Sequence, residues 1–171
     1  MNNKTGLRAL GAVAGLALAA GCFNAEAGTA TANLQVQITL IASCAISANT
    51  LNFGSSVGVL NAVVNGSSTL SVTCSNTTPY TVGLDAGTVA GSTVATRLMA
   101  GTTAGNTGTT MQFQLYSDSG RLTQWGNSSG TWVGGTGNGS AQTLNVYGQV
   151  PVQTTPKPDT YQTTITATVT Y

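Results

Sequence analysis

From Ala30 to Leu40 the chain alternates without a slip. Ala30, Ala32, Leu34, Val36, Ile38 and Leu40 fall on one face, and Thr31, Asn33, Gln35, Gln37 and Thr39 on the other. A period of two over this length predicts a half-buried β-strand. No turn signal or hairpin partner stands beside it, and the alternation breaks where Leu40 meets Ile41, just before Cys44. The same period recurs in short runs separated by Gly, Asn and Ser. "TLSVTCS" (69–75) aligns Leu70, Val72 and Cys74, and "YTVGLDA" (80–86) aligns Val82 and Leu84. "MQFQLYS" (111–117) aligns Met111, Phe113 and Leu115, and "TLNVYGQVPV" (143–152) aligns Leu144, Val146, Gly148 and Val150. In "TTITATVTY" (163–171), Ile165, Ala167, Val169 and Tyr171 oppose a row of threonines.

No stretch beyond the first residues carries a 3.6-residue period, and β-branched Thr and Val abound. "GTTAGNTG" (101–108) and "GNSSGTWVGGTGNG" (126–139) read as long loops, because glycine runs neither pack nor alternate. The pattern predicts a single-domain antiparallel β-sandwich with Greek-key connections. There is no internal repeat and no linker to a second domain.

The start of the chain follows a different logic. Lys4 and Arg8 precede the apolar run "ALGAVAGLALAAG" (9–21), which is too short to span a bilayer, and "AEA" (25–27) is a small-x-small cleavage site. Residues 1–27 therefore read as a secretory signal peptide cut after Ala27. A second reading takes "LAAGC" (18–22) as a lipoprotein box with Cys22 acylated, but Leu18 stands one position too far from the cysteine. Without the leader, the charged residues are Arg97, Arg121, Lys157, Asp85, Asp118 and Asp159, and the formal charge is zero. Such a surface offers little electrostatic resistance to self-association. It also has no basic patch for nucleic acid or anionic lipid, and no second apolar run long enough for a membrane.

Catalytic chemistry is poorly supplied. With no histidine in the chain, Ser-His-Asp and Cys-His arrangements are excluded, and a histidine-containing metal site with them. Asp118 in "SDSG" and Asp159 in "PDT" fit turn formation better than a carboxylate pair. "GTGNGS" (135–140) lacks the strand–helix context of a phosphate loop. No cofactor or enzymatic activity is expected. Trp125 and Trp132 have two readings, a sugar-stacking platform or caps on the core, and the burial habit of tryptophan favours caps. Cys44 and Cys74 remain after export, an even pair in an oxidising compartment, and read as a disulfide. Two free buried thiols are the alternative.

The order of these segments resembles the spore coat protein U domain, the subunit type of archaic chaperone–usher pili. The resemblance rests on the leader, the alternating segment, "ASCAISANTLNFG" (42–54) with a Leu-x-Phe-Gly strand after the cysteine, "STLSVTCSNTTPYTVGLDAG" (68–87), and "KPDTYQTTITATVTY" (157–171). "KPDTY" departs from the small-residue-Gly turn usual before that Tyr. The resemblance implies a single incomplete immunoglobulin-like (pilin) Greek-key sandwich over residues 42–171, completed by a donated strand, with residues 28–41 as the donor segment. The donor face would be Ala30, Ala32, Leu34, Val36, Ile38 and Leu40. The acceptor groove would run beside Ile165, Ala167, Val169 and Tyr171, where the chain ends on a strand whose edge nothing further covers. It also implies a homo-polymer or related pilus subunits, a periplasmic chaperone and an outer-membrane usher as partners, a cell-surface destination, and a role in adhesion or biofilm. A monomeric secreted carbohydrate-binding sandwich is the alternative.

Overall fold

The computed structural model describes residues 27–55 and 58–171. Residues 1–26, which hold most of the leader and Cys22, lie outside that description. The described residues fall into two units, one ending at Ile38 and one running Thr39–Tyr171.

Nine strands make up the second unit: β1 Cys44–Ala48, β2 Val64–Cys74, β3 Pro79–Leu84, β4 Arg97–Gly101, β5 Thr110–Tyr116, β6 Val133–Thr136, β7 Ala141–Val150, β8 Tyr161–Gln162 and β9 Ala167–Thr170. They form a six-stranded sheet in the order β1-β2-β7-β5-β4-β8 and a three-stranded sheet in the order β6-β3-β9. Every ladder is antiparallel. The alternating runs sit as their pattern requires. Leu70, Val72, Cys74, Val82, Leu84, Phe113, Leu115, Val146 and Val150 are buried, and their polar neighbours face outward, because one side of each sheet must leave water.

Three departures from the sequence reading have physical causes. β6 lies inside the glycine run read as a loop. A Cβ at Gly135 would stand 2.5 Å from the Tyr80 phenol, so the bare backbone lets that ring lie across the β3–β6 ladder. β4 carries no apolar alternation at its start, because its inward residue there is Arg97. The Leu51–Phe53 segment is not a strand, although Leu51 and Phe53 turn inward as a strand's residues would.

Arg97 is fully buried and is satisfied by main-chain oxygens. Its Nε donates to the Asp85 carbonyl at 2.8 Å, and its Nη2 to the Leu84 and Trp125 carbonyls at 2.9 and 2.8 Å. Burial pushes the guanidinium down to about 10, with the Asp85 charge opposing the shift. Trp125 is 1% exposed, and its indole N–H donates to the Val82 carbonyl at 2.8 Å. Arg97 and Trp125 thus tie β4 and the 117–126 connection to the end of β3.

Candidate functional site: an open groove between the first and last strands

The last strand leaves the large sheet for the small one. β8 pairs with β4 through Ala100–Gln162 and Gly101–Tyr161, and after a four-residue crossing β9 pairs with β3 from Leu84–Ala167 to Thr81–Thr170. The crossing is pinned by Asp85. Its N–H donates to the Thr166 carbonyl at 3.1 Å, and its carboxylate accepts the N–H groups of Thr166 and Gly87, each at 2.9 Å.

This pinning decides which way the backbone of β9 faces. Residue 166 spends its main-chain polar groups on Asp85, just past the end of β3. Strand alternation therefore turns those of Ile165, Ala167 and Val169 to the opposite edge, where no strand pairs among the described residues. β1 is one of the two outer strands of the large sheet, so among the described residues it too has a free edge. The two edge strands approach within 8 Å, Cα to Cα, without sharing a ladder.

Beyond the ends of β1 and β9 the gap opens into a cavity of about 830 Å³. The segment after β1 walls one side, residues 155–165 wall the other, and Leu70, Leu84, Phe113, Leu115, Val146 and Val150 lie beneath. Core side chains there meet open volume.

Both walls are locked in place. Phe53 lies over a glycine pair: Gly66 and Gly148 face each other across the β2–β7 ladder. A Cβ at Gly148 would stand 2.7 Å from the Phe53 ring, and one at Gly66 3.1 Å from it. The ring meets Phe113 edge to face at 6.2 Å between centroids. The opposite wall turns at Asp159. Its carboxylate accepts Asn106 Nδ2–H at 2.6 Å, Thr103 Oγ1–H at 2.7 Å, and the N–H groups of Thr160 and Thr103 at 2.7 and 3.1 Å. Asn106 first, then Thr103, hold the carboxyl well below the usual carboxylate range. Tyr161 Oη donates to the Lys157 carbonyl at 2.5 Å. The "KPDTY" turn is thereby closed by side chains rather than by a glycine. Asp118 has a similar local role, accepting Thr123 N–H at 2.6 Å and Leu122 N–H at 3.1 Å, which lower its pKa.

Ile165 and Ala167 line the cavity. Val169 is half-buried on β9, and Tyr171 is 58% exposed just past the strand. Cys44 and Cys74 form a disulfide between directly opposed residues of β1 and β2, which ties the edge strand to the sheet. Ala30, Ala32, Leu34, Val36, Ile38 and Leu40 are all exposed, and residues 27–43 form no strand. Their alternation specifies a strand, but a strand requires a partner for its ladder. Trp125 and Trp132 form no platform, since Trp125 is inside the core. Arg97 and Asn106 were invisible in the sequence, and Asp159 was legible as a turn residue but not as a support of the groove wall. Arg97 is held by main-chain oxygens and Asn106 and Asp159 bond each other from 53 residues apart, so no spacing announces them.

Residues 30–168 match the model of the Spore Coat Protein U domain. Protein U of Myxococcus xanthus is 37% identical over 158 residues, covering 86% of this chain and 88% of that protein. The fold is similar to a chain of the chaperone–tip adhesion subunit pre-assembly complex from archaic chaperone–usher Csu pili of Acinetobacter baumannii. The TM-score is 0.55 at 23% identity, over 78% of this chain and 41% of that one.

Proposed function

The chain belongs to the Spore Coat Protein U domain family, and we propose that it is a structural subunit of a surface pilus or coat that polymerises by donating a strand. In this reading residues 1–27 are removed on export, residues 28–41 are the donor segment, and residues 42–171 are the sandwich that accepts a donor. Ala30, Ala32, Leu34, Val36, Ile38 and Leu40 of one copy enter the groove of another, beside Ile165, Ala167, Val169 and Tyr171. A periplasmic chaperone fills the groove before assembly, and an outer-membrane usher is where the exchange takes place. Adhesion or biofilm formation is the role of the resulting fibre.

A single observation carries the reading. The same chain presents an exposed apolar segment of strand pattern and an apolar groove bounded by unpaired edges. Leu34, Val36, Ile38 and Leu40 are each more than four-fifths exposed. Burying each stabilises the assembly by about 1.5–3 kcal/mol, and each ladder hydrogen bond adds about 1 kcal/mol net. Ladder bonds supply strength, and alternate side chains set the register. The fold likeness to a chain from a chaperone–subunit complex supports the chaperone step.

The test is an unboiled denaturing gel of periplasmic protein from cells supplied with a cognate chaperone, comparing the full chain with one lacking residues 28–40. Detergent-resistant oligomers that collapse on boiling are expected for the full chain. The truncated chain should yield only folded, chaperone-bound subunit. A single monomer band for the full chain, with the truncated chain unfolded, would assign the segment to its own sheet and overturn the proposal.

A further inference from the structure

The outer side of the large sheet is built without charge. Leu70, Val72, Leu115, Val146 and Val150 turn into the core, so strand alternation turns the residues between them to solvent. The ladder registers fix which of those stand side by side. Ser67, Tyr147 and Tyr116 are directly opposed across β2, β7 and β5 and form one row. Asn65, Gln149 and Gln114 form the next row on one side, and Thr69 with Asn145 the next row on the other. Farther along, Ser71 is opposed by Thr143 and Ser47. No Asp, Glu, Lys or Arg occupies any of these positions.

The amide row is held in order. Gln149 Nε2–H donates to Asn65 Oδ1 at 3.3 Å, and Gln124 Nε2–H donates to Gln114 Oε1 at 2.7 Å. Arg121 reaches over the tyrosine row, its guanidinium carbon 5.9 Å from the Tyr147 ring centroid. It braces the ring but offers little to an anion. Its Nε, Nη1 and Nη2 already donate to the carbonyls of Gly148, Ser119 and Gly66 at 3.2, 3.2 and 3.5 Å.

Two neighbouring phenol rings flanked by amides and hydroxyls suit one ligand chemistry. The C–H face of a pyranose ring packs on an aromatic ring, and its hydroxyls require paired donors and acceptors, which amide side chains supply. The uncharged face selects a neutral sugar polymer over an acidic one. Its size argues against a protein partner. From Asn65 to Thr73 along the strands and from β1 to β5 across them, the face measures about 27 Å by 15 Å, roughly 400 Å². A stable protein contact takes about 800 Å² per partner with an apolar centre, whereas an extended polysaccharide needs only a strip.

We propose that the outer face of β2, β7 and β5 binds a neutral polysaccharide, with Tyr116 and Tyr147 as the stacking platform and Asn65, Asn145 and Gln149 as hydroxyl partners. The site lies on the opposite side of the sheet from Val146 and Val150, which floor the groove, so it belongs to a single sandwich. In a fibre formed by strand donation the same weak site repeats at every subunit, and avidity multiplies it; that last step rests on the reading above.

The test is affinity electrophoresis of the full chain bound to a cognate chaperone, beside the chaperone alone, in native gels cast with dextran, amylopectin, galactomannan or alginate. Slower migration in at least one of the three neutral polymers, and none in acidic alginate, is expected. Tyr147→Ala should weaken the retardation roughly tenfold, and Asn145→Ala, at an exposed position, several-fold. Trp132→Ala should leave it unchanged, since Trp132 precedes β6 in the small sheet. No retardation in any neutral polymer, retardation in alginate alone, or full retardation of both the Tyr147 and Asn145 variants would overturn the proposal. Slow migration without polysaccharide that Tyr147→Ala abolishes would assign the face to a second copy and overturn it equally. Each of these outcomes leaves strand donation to be read separately on the unboiled gel.

Discussion

An Ile38→Asp chain separates the stability of the subunit from the stability of the assembly. Ile38 is 82% exposed in the free chain, so the substitution should change subunit stability by no more than about 0.5 kcal/mol. In a donated strand the same position faces the groove. There the variant forfeits the roughly 1.5–3 kcal/mol of an isoleucine's burial and places a carboxylate in an apolar site, at several kcal/mol more. A combined loss of about 5 kcal/mol lowers the exchange equilibrium more than a thousandfold. The assay is the unboiled gel with the chaperone present, beside Gln37→Asp, one residue away on the polar face. Ile38→Asp should yield chaperone-bound subunit without oligomers, and Gln37→Asp should keep the ladder. Normal oligomers from Ile38→Asp, or equal loss from Gln37→Asp, would refute the assignment of a buried donor face.

Three further outcomes are expected. Arg97→Leu leaves the Leu84, Asp85 and Trp125 carbonyls without their donor. It should cost about 3 kcal/mol, lowering the Tm of the chaperone-free subunit by roughly 10 °C in a circular-dichroism melt; an unchanged Tm would count against the clamp. Gly148→Val drives a side chain into the Phe53 ring and should cost about 1–3 kcal/mol, with oligomer yield falling because a groove wall is displaced. Phe53→Ala should cost less in the Gly148→Val background than in the wild-type chain, and an equal cost in both would argue that the ring is not the obstacle. The depressed pKa of Asp159 has a definite sign. Its hydrogen bonds stabilise the fold above the ordinary carboxylate range and are lost as pH falls through the folded value. The Tm difference between the wild-type chain and Asp159→Asn should therefore stay constant above about pH 4 and narrow below it; a gap that widens in acid would contradict the assignment.

Much of this architecture was legible in advance because period-two patterning is a local property. Leu70, Val72 and Cys74, or Met111, Phe113 and Leu115, need only an apolar side to face, and the strands built from them formed with the predicted faces inward. The Cys44–Cys74 pair was equally readable, since an even count after a sequence read as an export leader leaves few options. β6 was missed because glycines there serve the Tyr80 ring, a partner from another strand. β4 was missed because its inward residue is an arginine whose acceptors are main-chain oxygens of residues 84, 85 and 125.

The alternation of residues 30–40 determined that this segment carries the pattern of a strand, with one apolar face from Ala30 through Leu40. It was silent on whether the sandwich closes over its own core. Only the tertiary structure decided this, by carrying the chain across at 163–166 so that β9 pairs with β3 on one side alone and a cavity stays open against the segment after β1. The reason is physical: side-chain periodicity is written into consecutive residues, whereas an unpaired edge results from where distant strands stop. Here Asp85, Phe53 over two glycines, and Asp159 with Asn106 set those stopping points.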